Sequence, residues 1–289
     1  MSKPVFAYAA LQLVDAGALS LDEPLSTYGP KLSGDAESAR VTARHVLCHT
    51  TGLPNWRGEK RLQTHFAPGG RFSYSGEGFA HLQRVVERIT GDRLEALARR
   101  LVFAPLGMQD SSYTWQERFG TDHAVPHDAA LCPEIKSKPA EASAAFSLHT
   151  TAVDYAQFLR ATLSGTRLQK STAQVWLEPH VKVPRHRRES IASEAVPDLD
   201  DRVAWGLGWG LELETGMFFH WGANPGFQSF AIGAPRADAA LVVFTNGDNG
   251  LAIMPDLIEV FAPGERPSLA WLGVSASRRH RPPRSAEFL

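Results

Sequence analysis

Apolar residues recur at helical spacing through most of the first two thirds of the chain. A first helix is predicted over residues 4–16, with Gly17 in the position of a C-terminal cap. A long helix is predicted from Glu77 to Thr90, because its apolar side chains form a single stripe and Gly91 follows it. Shorter helices are predicted over 42–48, 92–103 and 151–163 and from Ser171, each behind a capping residue.

The pattern changes near residue 204, where short segments rich in aromatic and β-branched residues begin. They cover 204–213, 217–222, 227–234 and 239–245, and Gly, Pro or Asp separates them, which is typical of antiparallel strands. A closing helix is predicted at about 251–261. This order predicts an α+β fold with helices packed on an antiparallel sheet. One domain is expected over 1–262, with a helical part at about 1–200 and a sheet part at about 201–262.

Both ends of the chain allow two interpretations. Pro and Arg accumulate over 263–289, which predicts a disordered tail; a nucleic-acid or membrane contact through Arg278, Arg279, Arg281 and Arg284 is less favoured. At the other end, Lys3 and the apolar run behind it resemble a short secretory signal that ends in Ala16-Gly17-Ala18. Gln12 and Asp15 interrupt the run, so an amphipathic helix is the preferred interpretation.

Composition narrows the possible functions. The 289 residues include 30 Lys and Arg and 31 Asp and Glu, a net charge of −1 that gives no electrostatic reason to expect nucleic acid as a partner. No apolar stretch approaches the ~20 residues that a membrane-spanning helix needs. His45 and His49, like His123 and His127, have a zinc-ligand spacing but no acidic partner at motif spacing. We therefore expect no metal at these histidines, and we expect His49 to anchor its loop through a hydrogen bond.

The G-x-S-x-G nucleophile elbow is absent. The residues that could carry out catalysis are instead distributed over six segments of the chain. Lys3 precedes an apolar helix, Tyr74 precedes a long helix in Tyr-Ser-Gly, and His220 closes a strand in His-Trp-Gly. The segments are Met1-Ser-Lys with its helix, Thr42 to Pro54 with its His-Thr-Thr-Gly-Leu-Pro loop, Phe72-Ser-Tyr-Ser, Phe103-Ala-Pro-Leu-Gly-Met, Thr151-Ala-Val-Asp-Tyr-Ala-Gln-Phe, and His220-Trp-Gly with Asn224-Pro-Gly-Phe. Together they resemble the serine hydrolases of the class C β-lactamase and penicillin-binding-protein type, a superfamily that includes esterases and D-aminopeptidases.

The resemblance implies a β-lactamase/transpeptidase-like fold, an acyl-enzyme mechanism with no metal or organic cofactor, and a role for each motif. Lys3 is implied as the base, Tyr74 as the proton shuttle, and His220 as a contact to the substrate or transition state. The backbone N–H of Ala223, after Gly222, is implied to complete the oxyanion hole. Substrate contacts are implied for Ser75, Gly76, Trp221, Gly222 and Ala223.

The first departure from the family pattern concerns the nucleophile. The family motif is S-x-x-K, but the position three residues before Lys3 precedes Met1, and no other lysine has a serine at that spacing. Ser2 is a poor replacement, because one residue of helix turns it ~100° away from Lys3. We expect a start codon assigned too late, with two further strands upstream; a truly truncated gene is the alternative. The codons upstream of Met1 discriminate the two, and the sheet as written is expected to have an unpaired edge.

Two further departures bear on the substrate. Gly76 stands where the family usually has Asn, and His220 stands where β-lactamases have a charged Lys, which favours neutral esters or small amides over β-lactams. Trp221 and the tryptophans of 205–210 either line an apolar acyl pocket or pack in the sheet.

The prediction is an esterase- or D-aminopeptidase-like hydrolase of small esters, amides or peptides, and the chain as written is expected to be inactive because it lacks the serine. A non-catalytic binding or regulatory relic is the alternative. A cytoplasmic location is expected as written, and a periplasmic or secreted one if a signal peptide lies upstream.

Overall fold

The computed structural model describes residues 1–29, 32, 36–185, 191–193 and 197–274. Within these ranges the α-helices are α1 Ser2–Asp15, α2 Ala43–Leu47, α3 Gly76–Thr90, α4 Leu94–Ala98, α5 Ala104–Leu106, α6 Ala152–Ser164, α7 Lys170–Trp176, α8 Met254–Phe261 and α9 Pro267–Leu272. The strands are β1 Val181–Pro184, β2 Leu199–Trp205, β3 Gly210–Glu212, β4 Met217–Asn224, β5 Phe227–Ala234 and β6 Ala239–Thr245.

The strands form one antiparallel sheet in chain order, β1-β2-β3-β4-β5-β6. Short connections between consecutive strands from β2 to β6 favour this order, and the β4–β5 hairpin pairs His220 with Ala231 and Asn224 with Phe227. Among the described strands, β6 pairs only with β5 and forms an edge, and its residues are half-buried. The predicted α+β fold of helices with an antiparallel sheet is confirmed.

Helix α1 lies in the middle of the molecule. Every residue from Ser2 to Leu11 is buried, which explains why the sequence from Pro4 to Leu11 is almost entirely apolar on every face of the helix. The prediction of an amphipathic helix was therefore wrong, although the helix itself exists. Gln12, which interrupts the apolar run, donates its side-chain amide to the Leu101 carbonyl at 3.1 Å. No described helix is long and apolar enough to span a membrane.

Most predicted helix ends are close to the observed ones, because the capping residues act locally. Thr42 accepts the His45 N–H at the start of α2, and Gly91 ends α3 in the left-handed conformation. Two caps were wrong: Arg93 precedes α4, while Asp92 pairs with Arg100 at 2.6 Å, and α7 begins at Lys170 rather than behind Ser171.

The sheet and the tail also differ from the prediction. The segment 204–213 is not one strand, because a turn at Gly206–Trp209 reverses the chain between β2 and β3. The short strand β1 was not predicted. Disorder from residue 263 was wrong for α9, whose Trp271 is 4% exposed and donates Nε1–H to the Pro184 carbonyl at 2.9 Å. The four tail arginines, Arg278, Arg279, Arg281 and Arg284, lie outside the described residues.

Candidate active site

Lys3 lies in the first turn of α1, and its ammonium group is enclosed by the fold. Nζ donates a 2.8 Å hydrogen bond to the Ala145 carbonyl and lies 4.7 Å from the ring centre of Tyr74. The residue is 5% exposed, and burial lowers the pKa of Lys3 from 10.5 to about 7. An amine with this pKa is partly neutral near pH 7 and can accept a proton.

His49 holds the segment that carries Tyr74. Its Nδ1 accepts the Ser75 N–H at 3.0 Å, and its ring centre lies 4.2 Å from that of Tyr74. Burial, with a smaller effect of the Lys3 charge, lowers the pKa of His49 well below 6.5, so the ring is neutral and Nδ1 is free to accept. The predicted anchoring role of His49 is confirmed. Its contact with Tyr74 was not predicted, because nothing in the loop sequence indicates which ring it meets.

His220 comes from β4 and faces the same enclosed space. Its ring centre lies 6.5 Å from that of Tyr74, and its Nδ1 lies 2.7 Å from the Trp221 carbonyl, which assigns the N–H to Nδ1. Its Nε2 is buried without a hydrogen-bond partner. Burial first, and then the positive charges of the chain's first amine and Lys3, lower the pKa of His220 well below 6.5. A neutral ring with an unsatisfied acceptor nitrogen therefore borders the site.

Strand β4 runs close to the start of α1 at Gly222. A Cβ at this position would overlap the Ser229 hydroxyl and would lie 3.2 Å from Met1 Cγ, so only glycine allows this approach. Ala223 follows at the exposed end of the strand. The structure therefore brings together Lys3, Tyr74, His220 and the Gly222–Ala223 segment.

Two of the predicted substrate contacts have other positions. Ser75 is 1% exposed; its hydroxyl donates to the Pro54 carbonyl at 2.8 Å and accepts the Gly78 N–H at 3.0 Å. It therefore caps α3, and its predicted contact with substrate has no support in this geometry. Gly76 is also buried, because the ring of Trp56 lies over it.

The tryptophans of 205–210 are packing residues. Trp205 and Trp209 are fully buried, which favours the packing alternative for both. Trp205 lies beneath the site, with its ring centre 5.8 Å from that of His220 and 6.2 Å from that of Tyr74. Trp221 is 8% exposed, and its ring centre lies 5.1 Å from that of Tyr74. Trp221 is thus the tryptophan of this group that borders the site.

The histidines with zinc-like spacing have other partners. His45 Nδ1 accepts the Thr42 N–H at 3.3 Å in a capping box, and His127 Nδ1 lies 3.1 Å from the Asn246 carbonyl. Within the part of the chain that the structure describes, no three His, Cys, Asp or Glu residues come together as potential metal ligands.

Comparison with known proteins identifies the family of the chain. The family model described as Beta-lactamase matches residues 1–259. The chain is 27% identical over 312 residues to Penicillin-binding protein 4 of Amycolatopsis lactamdurans, covering 92% of this chain and 79% of that protein. It is 34% identical over 161 residues to Esterase EstB of Burkholderia gladioli, covering 44% of this chain and 40% of the esterase. The solved structure of a D-stereospecific amidohydrolase from Streptomyces sp. has the same fold, with a TM-score of 0.73, 21% identity and coverage of 92% and 85%.

The family model extends from the first residue through the whole sheet, to residue 259. The chain belongs to the beta-lactamase family, whose members are serine hydrolases and include esterases and amidohydrolases. The family and fold predicted from the motifs are confirmed.

Proposed function

We propose that this site transfers the acyl group of small esters or amides to water through an acyl-enzyme. Lys3 acts as the base, Tyr74 as the proton shuttle, and His220 as the contact to the substrate or transition state. The observation that carries the proposal is the environment of Lys3: burial brings its pKa to about 7, and the Tyr74 ring lies against it. A lysine with its ordinary pKa of 10.5 would be protonated at pH 7 and could not act as a base.

The nucleophile of this scheme is a serine at the helix position three residues before Lys3. A residue at that position shares the helix face of Lys3 and is bonded to the Met1 nitrogen. This nitrogen lies beside Gly222, 3.4 Å from where a Cβ on that glycine would be. As the serine oxygen attacks the carbonyl carbon, its proton passes to Lys3. The carbonyl oxygen becomes an oxyanion beside the Ala223 N–H. The C–O or C–N bond then breaks as Tyr74 gives its hydroxyl proton to the leaving group and takes the proton from Lys3 in its place. Water attacks the acyl-enzyme in the same way and regenerates the serine.

The preference for neutral substrates follows from His220. A neutral imidazole beside the reacting carbonyl attracts a substrate carboxylate far less than a charged lysine would. Small neutral esters and amides are therefore the proposed substrates. The esterase among the relatives supports this choice.

The test adds one residue before Met1, serine in one chain and alanine in a matched control, with the 289-residue chain as reference. We expect the serine chain to hydrolyse 4-nitrophenyl butyrate at least about 100-fold faster than the alanine chain, since loss of such a nucleophile typically costs ~10⁶-fold. Lys3→Ala in the serine chain is expected to remove this gain. Equal rates for the serine and alanine chains would overturn the proposal, as would turnover by the 289-residue chain that Lys3→Ala abolishes.

A further inference from the structure

Two aromatic side chains stand out on the surface of the molecule. Trp56 and Phe146 are each 49% exposed and are the only aromatic residues among the exposed large apolar side chains of the described ranges. They come from distant loops but meet edge to face, with ring centres 5.7 Å apart and planes at 78°. Pairing exposed aromatic rings leaves an apolar surface in water, which is typical of a binding site rather than of a core.

The loop that carries Trp56 is fixed to the start of α3. The Asn55 side chain and carbonyl both accept the Gly76 N–H, at 2.9 and 3.1 Å, and the Glu77 carboxylate accepts the Arg57 N–H at 3.2 Å. The Trp56 ring fills the space beside Gly76, where a Cβ would lie 2.6 Å from two of its carbons. Glycine at this position therefore admits the ring, two residues beyond Tyr74.

Phe146 is fixed from the opposite side of the site. Its neighbour Ala145 accepts the hydrogen bond of Lys3 Nζ at 2.8 Å, and its own carbonyl accepts the Asn224 side-chain N–H at 3.3 Å. Asn224 ends β4, directly after Ala223. The aromatic pair thus adjoins the Tyr74, Lys3 and Ala223 segments at once.

We propose that Trp56 and Phe146 form the wall that binds an aryl group of the substrate, so that aryl-bearing esters and amides are preferred to short-chain ones. This inference deepens the proposed function and rests on it for the position of the reacting carbonyl. An aryl group placed against two rings already at an edge-to-face angle gains both apolar burial and aromatic contact. Replacing the usual Asn with Gly76 removes a polar contact and supplies the space that Trp56 occupies.

The test separates binding from hydrolysis by using ethers, which the site cannot cleave. The full chain is titrated with benzyl 2-fluoroethyl ether and with methyl 2-fluoroethyl ether, which lacks an aryl group, and the Kd of each is measured from the ¹⁹F line width. We expect the benzyl ether to bind at least about tenfold more tightly than the methyl ether, a discrimination of the size that apolar pockets give. Trp56→Ala, Phe146→Ala and Gly76→Ala, which displaces the Trp56 ring, are each expected to abolish the difference.

Two controls keep the test decisive. Trp56→Phe keeps a ring and is expected to retain most of the preference, and Val153→Ala, at an exposed site on α6, is expected to leave it unchanged. A benzyl-to-methyl ratio that stays the same in Trp56→Ala and Phe146→Ala overturns the inference, with folding checked by circular dichroism. A preserved ether preference in a serine-extended chain that hydrolyses no ester would refute the proposed function and leave the aryl-binding wall standing.

Discussion

At the scale of single residues, the site depends on ionisable side chains whose neutral forms the fold favours. Lys3, His49 and His220 all lie in the same enclosed space, and burial is the largest cause that lowers the pKa of each. Water solvates the charged forms better than this interior does, so each group tends towards its neutral form. This matters most for Lys3, whose pKa of about 7 makes both protonation states accessible near neutrality.

The pKa of Lys3 predicts how stability depends on pH. The unfolded lysine keeps a pKa of 10.5, so between about pH 7 and 10.5 the unfolded chain binds more protons and the free energy of unfolding rises with pH. Between pH 7 and 9 the contribution of Lys3 to this rise is about 2 kcal/mol. Urea unfolding of the chain and of Lys3→Met at both pH values measures it, since the Met variant keeps every other titrating side chain. Equal pH dependence in the two chains would show that Lys3 keeps its ordinary pKa.

The site residues show what a motif can and cannot predict. Lys3, Tyr74 and His220 were predicted from ordered motifs, and the structure places them around one space. The environment of Ser75 was not predictable, because whether its hydroxyl faces a substrate or the backbone of α3 depends on the loop that ends at Pro54. Trp56 was missed for the same reason: only the fold shows that its ring lies over Gly76.

At the scale of elements, the site depends on how closely β4 approaches α1. Main-chain pairing with β5 fixes β4, and α1 is buried on all sides, so neither element can move away easily. Gly222 lies where β4 faces Met1, the residue directly before α1. Its missing side chain is therefore part of the site's architecture.

Gly222→Ala tests this approach. The new methyl group would overlap the Ser229 hydroxyl and crowd Met1, so we expect a loss of about 1–3 kcal/mol in the free energy of unfolding, the usual cost of overpacking. Adding Ser229→Ala removes the overlapping oxygen and is expected to restore part of the loss, because the contact with Met1 remains. Chemical denaturation of the three chains measures both effects. An unchanged stability in Gly222→Ala would contradict the close packing of β4 on α1.

The elements that were predicted correctly carry their signals locally, whereas the missed ones do not. Thr42 and Gly91 act on their own helix ends, so the sequence near them was sufficient. Helix α9 lies in a stretch rich in Pro and Arg, and its order comes from Trp271, which donates a hydrogen bond to a carbonyl 87 residues away. Composition alone cannot predict a contact of that range.

At the scale of the whole molecule, distant parts of the chain meet at one centre. Helix α1 supplies Lys3 from the first turn of the chain, and the sheet supplies His220 from its middle strands. Loops from between them add His49, Tyr74 and Ala145. The family resemblance predicted this assembly as a whole. Periodicity alone predicted the α+β fold but not which side chains meet.

The central claim is that Lys3 serves as the base of an acyl-transfer site, and the pH profile of kcat/KM tests it most directly. In the chain with a serine before Met1, kcat/KM for 4-nitrophenyl butyrate is predicted to increase with pH in a single ascending limb centred near pH 7, as Lys3 loses its proton. Below that pH, kcat/KM should fall tenfold per pH unit. A rate that stays flat from pH 5 to 9, or that increases towards acid, would contradict the assignment of Lys3 as the base.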